Sequence, residues 1–118
     1  MEAKMEIKSR GTISVCLLTY NHVNVIESTV ESILKQSRTN FELVLSDDCS
    51  NDGTYEKLLL LAEEDSRIRV IKTPKNMGMA GNANFAVMNS TGAYIALLHH
   101  DDIYRHDLLE KWAEILDK

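Results

Sequence analysis

The sequence predicts an α/β fold, with an open, mainly parallel sheet of about four strands flanked by helices. Short apolar runs rich in Val, Ile and Leu alternate along the chain with segments whose apolar residues recur at helical spacing. Paired aspartates follow two of these runs, at 47–48 and 101–102. Parallel strands joined by right-handed crossovers end at one edge of their sheet. We therefore expect both acidic pairs to lie close together at that edge.

The first half of the chain contains two predicted strands and one helix. The strands are predicted at 13–20 and 41–46, both continuous apolar runs typical of buried strands. Between them lies a predicted amphipathic helix that the polar break 21–24 can cap and that ends near 36–37. Its apolar positions are Ile26, Val30, Ile33 and Leu34.

The second half continues the alternation. A turn-forming cluster at 47–53 precedes a helix. A short third strand at 67–72, a loop at 73–78, a helix of small residues and a fourth strand at 93–98 follow. The apolar face of the first of these helices is predicted to carry Tyr55, Leu58, Leu59 and Ala62. The helix of small residues carries Ala80, Ala83, Ala86 and Val87. A last helix is predicted to begin at Asp107 and to place inward Leu108, Leu109, Trp112, Ala113 and Leu116.

Composition bounds the class of protein. The chain has 118 residues, 44% hydrophobic and 26% charged, which suits one domain at 12–118 after a flexible lead-in at 1–11. A net charge of −5 argues against a nucleic-acid partner, which would need a basic patch. Cys16 and Cys49 have neither CxxC nor zinc spacing, which favours a reducing, cytoplasmic location. No apolar run has the length of a membrane helix, although membrane association of a longer protein stays open.

The strongest chemical signal is the stretch His99-His100-Asp101-Asp102 at the end of the fourth predicted strand. Carboxylates that share their ion with water and phosphate oxygens are the usual environment of Mg²⁺ or Mn²⁺. The alternative interpretation of the same stretch is a helix-capping turn with solvated histidines.

The other two strand ends carry weaker signals. An aspartate of the pair 47–48 can accept hydrogen bonds from a base or a ribose, or the pair can cap the helix that begins at Thr54. Both can hold, with one aspartate capping and the other reaching a ligand. At the first strand end, Tyr20 could stack against a ring and Asn21 could hydrogen-bond it, or the segment is a plain turn.

The glycine-bearing segment 76–82 lacks the phosphate-binding patterns GxxxxGK[ST] and GxGxxG. Its glycines allow close helix approach or a bend around a ligand. Met77 and Met79 are expected to pack, whereas His22 and His106 are expected to be solvated.

Taken together, these segments resemble the N-terminal half of an inverting family 2 glycosyltransferase of the GT-A type, which has a Rossmann-like fold. The likeness extends from about residue 13 to residue 117. It is carried, in this order, by SVCLLTYN (14–21), SILKQS (32–37), FELVLSDDCSNDGT (41–54), NMG (76–78), AGN (80–82) and GAYIALLHHDD (92–102).

The resemblance implies a nucleoside-diphosphate sugar donor, most simply of the UDP type, an Mn²⁺ or Mg²⁺ cofactor, and a glycan, lipid or protein acceptor. It implies that Asp48 binds the base, that Asp101 with His99 binds the metal, and that His100 and Asp102 border the sugar diphosphate. It also implies that residues at the first strand end contact the nucleotide, namely Leu18, Thr19, Tyr20 and Asn21. The general base is expected in a second half that this sequence does not include, so the chain is expected to be an inactive donor-binding fragment.

The sequence departs from the family pattern at four positions. His99 takes the place of a frequent Asp, and Leu18 that of a frequent Pro. Ala83 stands where many relatives have an Arg that faces the diphosphate, and Cys49 replaces a common Gly. Weaker use of Mg²⁺ and one fewer phosphate contact are the expected consequences.

Two other functions share features with this sequence. A non-catalytic nucleotide-binding or assembly module is the main alternative, and an apolar sheet edge and face would then favour a homodimer. A receiver-like signalling module also has paired aspartates beside Mg²⁺. It needs a Lys at a late strand end, which this sequence does not place there.

Overall fold

The protein is described here from a computed structural model, which describes residues 13–37 and 40–99. The described part forms a single sheet in which the strand order is β3-β2-β1-β4 and every neighbouring pair is parallel. Its strands are β1 (Ile13–Thr19), β2 (Phe41–Asp47), β3 (Ile68–Lys72) and β4 (Tyr94–His99). Its helices are α1 (Ile26–Leu34), α2 (Thr54–Ala62) and α3 (Gly78–Met88). The predicted α/β fold with four parallel strands is confirmed, and the predicted last helix lies outside the described residues.

The sheet has helices on both faces, as its parallel strands require. On one face, α1 and α2 cover the larger core, in which Leu17 and Leu45 of the two central strands are fully buried against Ile33. On the other face, α3 covers a smaller cluster in which Ala86 packs with Cys16 and Val44. Cys16 is thus a core residue, and burial raises the pKa of its thiol.

The buried faces of two helices differ from the sequence prediction. In α2, Leu58 and Leu61 face the core, whereas Leu59 is 43% exposed. The hydroxyl of Thr54, at the start of α2, accepts the backbone N–H of His22 and is itself bound to Asp52, which fixes the rotation of the helix. In α3, the buried residues are Asn82 and Ala86, and both Ala80 and Val87 are exposed.

The predicted capping of the first helix was also wrong. No side chain of the break 21–24 caps α1, because the carbonyl of His22 accepts the backbone N–H groups of Val25 and Ile26 instead. The side chain of Asn21 is engaged elsewhere, by the backbone N–H of Asn51.

The strand register brings the carboxyl ends of the strands to one level. Thr19 lies opposite Asp47, Asp47 lies opposite Lys72, and Leu18 lies opposite His99. The chain therefore leaves β1, β2 and β4 at the same edge, which is where ligands bind in open parallel sheets.

β4 exposes two apolar side chains, Ile95 and Leu97, each more than two fifths exposed. Both lie on the sheet face that α3 covers at the central strands. The homodimer expected from such a surface stays a prediction. None of the helices in the described ranges is long and apolar enough to cross a membrane.

Candidate functional site

A cavity of about 350 Å³ opens at the carboxyl edge of the sheet, between the end of β1 and the start of α3. Asp48, which follows β2, lies between these two walls. Its backbone N–H donates to the carbonyl of Thr19 in β1, and its carboxylate accepts from the start of α3. The lining residues are Leu18, Thr19, Tyr20, His22, Asp48, Asn76, Gly78, Met79 and Asn82.

The β1 wall is shaped by a left-handed residue two positions after the strand. Asn21 has a φ of 54°, a conformation that asparagine tolerates better than most residues. Its backbone N–H donates to the hydroxyl of Ser50 at 2.8 Å, and its side-chain oxygen accepts from the backbone N–H of Asn51 at 2.9 Å. The turn leaves Tyr20 at the cavity with 44% of its surface exposed. Asn21 thus acts as a turn residue, whereas Tyr20 is available to a ligand.

Asp47 is fully buried and serves the loop rather than the cavity. Its Oδ1 accepts from the hydroxyls of Thr19 and Ser50, both at 2.7 Å, and its Oδ2 accepts from the backbone N–H of Ser50 at 2.8 Å. These three donors replace the hydrogen bonds from water that the carboxylate loses when it is buried. The hydroxyl of Thr19 is likewise directed to Asp47.

Asp48 is 4% exposed and caps α3 from outside that helix. Its Oδ1 accepts from the backbone N–H of Met77 at 2.8 Å and from the hydroxyl of Thr73 at 2.9 Å. Its Oδ2 accepts from the backbone N–H of Gly78 at 2.9 Å, the one donor to this atom among the described residues. A carboxylate oxygen can accept two hydrogen bonds, so Oδ2 can take a further donor from the cavity.

The predicted capping of α2 by the pair 47–48 was therefore wrong. Asp52 receives the backbone N–H of Thr54 at 3.0 Å, and Asp48 caps a different helix. Burial alone would raise the pKa of Asp52, but the hydrogen bonds from Thr54 and Val23 together lower it. The expected division between the two aspartates also differs, because Asp48 both caps a helix and lines the cavity, whereas Asp47 does neither.

Five cavity residues were not predicted as site residues: His22, Asn76, Gly78, Met79 and Asn82. His22 is half-buried, and its Nδ1 lies 3.0 Å from the carbonyl of Tyr20. Because a carbonyl can only accept, Nδ1 carries the hydrogen of this contact. Met79 is 65% exposed rather than packed, and Asn82 is a buried residue of the cavity lining. The sequence contained two signals for these residues. His22 lies two positions beyond Tyr20, and Asn82 is a polar residue within a helix of small residues.

The described lining contains a carboxylate and no lysine or arginine. Ala83, where the family resemblance implies an arginine in many relatives, packs against the smaller core. Among residues 13–37 and 40–99, no group of three or more His, Cys, Asp or Glu side chains is arranged to hold a metal ion. The aspartates at 47–48 are engaged by protein donors, so they do not form such a site. His100, Asp101 and Asp102 and the side chain of His99 lie outside the description.

Comparisons with known proteins agree with this architecture. The sequence model described as glycosyl transferase family 2 matches residues 14–118. The chain is 39% identical over 104 residues to TuaG of Bacillus subtilis (strain 168), a glycosyltransferase assigned to teichuronic acid biosynthesis. That match covers 88% of this chain and 41% of TuaG, so the chain spans about two fifths of this relative's length.

Two solved structures are similar to this fold over most of the chain. The S. aureus TarS fragment 1–349 in complex with UDP-GlcNAc matches with a TM-score of 0.81 and 28% identity, covering 90% of this chain and 31% of that one. The mannosyltransferase PcManGT from Pyrobaculum calidifontis, in complex with GDP-Man and Mn²⁺, matches with a TM-score of 0.78 and 25% identity, covering 86% and 31%. The four-stranded parallel sheet, its helices and the family match agree with the GT-A fold. The chain belongs to glycosyltransferase family 2.

Proposed function

We propose that this chain forms the donor-binding part of a glycosyltransferase that moves a sugar from a nucleoside diphosphate to an acceptor hydroxyl with inversion. The observation that carries the proposal is the cavity at the carboxyl edge of β1 and β2, which combines an exposed aromatic ring with a carboxylate that can accept one more hydrogen bond. The acceptor is a glycan, a lipid or a protein. The donor is of the UDP type, a choice supported by the UDP-GlcNAc complex of the similar TarS fold.

In this proposal the nucleoside occupies the described cavity. The ring of Tyr20 stacks on the base, and Oδ2 of Asp48 accepts a ring N–H of the base. Leu18, Thr19 and Asn21 shape the β1 wall that holds Tyr20 in place. The diphosphate extends towards the end of β4, because His99 lies opposite Leu18 at the same edge.

The diphosphate needs a cation that the described lining does not supply. We assign this role to Mn²⁺ or Mg²⁺ held by Asp101 with His99, with His100 and Asp102 beside the sugar diphosphate. When bound, the ion would neutralise charge that develops on the departing diphosphate. The general base that accepts the acceptor proton is not assigned to any residue described here.

Calorimetric titration of the chain with UDP in the presence of Mn²⁺ tests the nucleotide site. Tyr20→Ala should weaken binding about fivefold or more, because one base–aromatic stacking contact is lost. Tyr20→Phe keeps the ring and should bind UDP within about twofold of the unaltered chain. Absence of binding at millimolar UDP, or equal binding by Tyr20→Ala, would contradict the proposal.

The non-catalytic module remains the alternative, and turnover separates it from the proposal. A protein that contains this chain together with an acceptor-binding part should release UDP from UDP-sugar when acceptor is present. Binding of UDP without any release under these conditions would favour the non-catalytic module.

A further inference from the structure

Asn82 is the buried polar side chain of α3 and has no role yet in the proposed site. It is 2% exposed and lines the same cavity as Asp48. Its neighbours in the helix are small or apolar, and the rest of the contact between α3 and the sheet is made by residues such as Ala86 and Val44. A buried amide in such a contact needs hydrogen-bond partners for each of its polar atoms.

The orientation of the Asn82 amide is fixed by Ser46. The amide nitrogen donates to the backbone carbonyl of Ser46 at 2.9 Å, and the amide oxygen accepts from the Ser46 hydroxyl at 2.6 Å. Because the carbonyl can only accept, it is the nitrogen and not the oxygen that must face it. This pair anchors α3 to β2 two residues before Asp48.

The pairing leaves one donor of Asn82 unused. An amide nitrogen carries two N–H groups, and within residues 13–37 and 40–99 only the carbonyl of Ser46 accepts from it. A buried N–H without an acceptor is unfavourable, and this one belongs to a residue on the cavity wall. The site thus has a spare donor on Asn82 and a spare acceptor on Oδ2 of Asp48.

We infer that Asn82 is a specificity-determining residue, an inference that rests on the nucleotide-binding function proposed above. Its second N–H donates to O4 of uracil or O6 of guanine, while Asp48 accepts the adjacent ring N–H. Uracil and guanine present this carbonyl and ring N–H side by side. Cytosine and adenine present an amino group and an unprotonated ring nitrogen there, so both hydrogen bonds would be lost. The pair therefore selects keto bases over amino bases.

Calorimetric titration with UDP and CDP measures this selectivity. The unaltered chain should bind UDP more tightly than CDP, and Asn82→Ala should lower the ratio of the two affinities about fivefold, the value of one neutral hydrogen bond. Ser46→Ala is the matched control. It removes the hydroxyl contact but keeps the carbonyl that orients the amide, so the ratio should stay within about twofold.

A merely structural role predicts a different result. If Asn82 only anchors α3, Asn82→Ala weakens UDP and CDP equally, the ratio does not change, and the inference is overturned. UDP binding with an unchanged ratio would leave the proposed function intact. Failure of the unaltered chain to bind any nucleotide would overturn both.

A second measurement decides the matter if Asn82→Ala does not fold. On the unaltered chain, 2-thio-UDP and 4-thio-UDP each replace one carbonyl oxygen beside the ring N–H with sulfur, a weaker acceptor. 4-thio-UDP should bind about threefold to fivefold more weakly than UDP, and 2-thio-UDP should bind within about twofold of UDP. Equal affinity for all three nucleotides, or weaker binding of 2-thio-UDP alone, would overturn the role of Asn82.

Discussion

Two described residues beside the cavity that are not glycine have left-handed backbones, Asn21 with a φ of 54° and Cys49 with a φ of 62°. Asparagine tolerates this conformation, whereas for cysteine the Cβ atom crowds the backbone. The thiol of Cys49 donates to the carbonyl of Thr73 at 3.2 Å, which ties the loop after β2 to the loop before α3. The family resemblance implies a common glycine at position 49, and the left-handed backbone there favours glycine.

Replacement of Cys49 tests this strain. Cys49→Gly should have a free energy of unfolding about 1 kcal/mol higher than that of Cys49→Ala, because both lose the thiol but only glycine loses the Cβ atom. Urea denaturation of the two variants measures the difference. Equal stability would mean that the left-handed conformation is not strained in this loop.

Asp47 should be sensitive to an isosteric change. In Asp47→Asn, an amide N–H₂ must face at least one of the donors that now bind the carboxylate, the hydroxyls of Thr19 and Ser50 or the backbone N–H of Ser50. We expect a loss of about 2–4 kcal/mol in the free energy of unfolding. Thr19→Val, which removes one donor and keeps the carboxylate, should cost about 1 kcal/mol. A loss under 1 kcal/mol in Asp47→Asn, measured by urea denaturation, would contradict this interpretation.

At the scale of elements, the connection from α3 to β4 is held by a polar cluster at the end of the sheet opposite the cavity. Oε2 of Glu42 accepts from the hydroxyl of Ser14 at 2.6 Å and from the backbone N–H of Thr91 at 2.9 Å. The hydroxyl of Ser14 in turn accepts the backbone N–H of Gly92 at 2.7 Å. This cluster fixes where β4 begins and hence its register against β1.

Gly92 is required by the close approach of the backbone to β1. A Cβ atom at this position would lie 2.7 Å from the backbone nitrogen of Ser14 and 3.0 Å from the carbonyl carbon of Ile13. Gly92→Ala should therefore lower the free energy of unfolding by about 1–3 kcal/mol, as overpacking does. Asn84→Ala, at an exposed position of α3, serves as the control and should cause no loss. Equal stability of both variants in urea denaturation would refute the close packing.

Glu42 gives this cluster a pH dependence. Burial alone would raise the pKa of Glu42, but the hydrogen bonds from Ser14 and Thr91 and the charge of Arg69 hold it below its ordinary value. The unfolded chain has a glutamate pKa of about 4.3, so the stabilisation is fully present above that pH and is lost as the pH falls through the lower, folded pKa.

A comparison with Glu42→Gln tests the sign. At pH 7 the variant should be less stable by about 1–3 kcal/mol, since the hydrogen bonds to a charged acceptor are weakened. The difference between the two thermal midpoints should stay constant down to about pH 5 and narrow below about pH 4. A difference that widens in acid would contradict a lowered pKa.

At the scale of the whole molecule, the charge distribution suits the two parts of the proposed nucleotide ligand differently. The chain has a net charge of −5, and the described cavity lining contains a carboxylate but no lysine or arginine. The positive end of the α3 dipole is already met by the carboxylate of Asp48. A neutral nucleoside suits this cavity, whereas a diphosphate requires a cation beside it.

Metal dependence should therefore differ between two ligands. Mn²⁺ should raise the affinity of the chain for UDP roughly tenfold or more and leave its affinity for uridine unchanged, because uridine has no phosphate charge. Titrations with Mn²⁺ and with EDTA measure both affinities. An equal effect on uridine and UDP would indicate that the metal acts on the fold rather than on the diphosphate.

The sequence by itself determined the fold class, the four strands and the family. Periodicity and turn residues are local properties, and the segments from Ser14 to Asp102 that carry the family likeness can be read in order. The family resemblance also marked position 49 as a common glycine site. The left-handed backbone that favours glycine there is known only from the structure.

Only the tertiary structure decided what each polar side chain of the site does. Asp47 and Asp48 are adjacent in sequence, yet one binds Thr19 and Ser50 inside the loop and the other caps α3, about thirty residues further along the chain. The spare donor of Asn82 depends on Ser46, thirty-six positions away. Such pairings form when distant segments pack, because a side chain takes the donor or acceptor that the fold brings within about 3 Å.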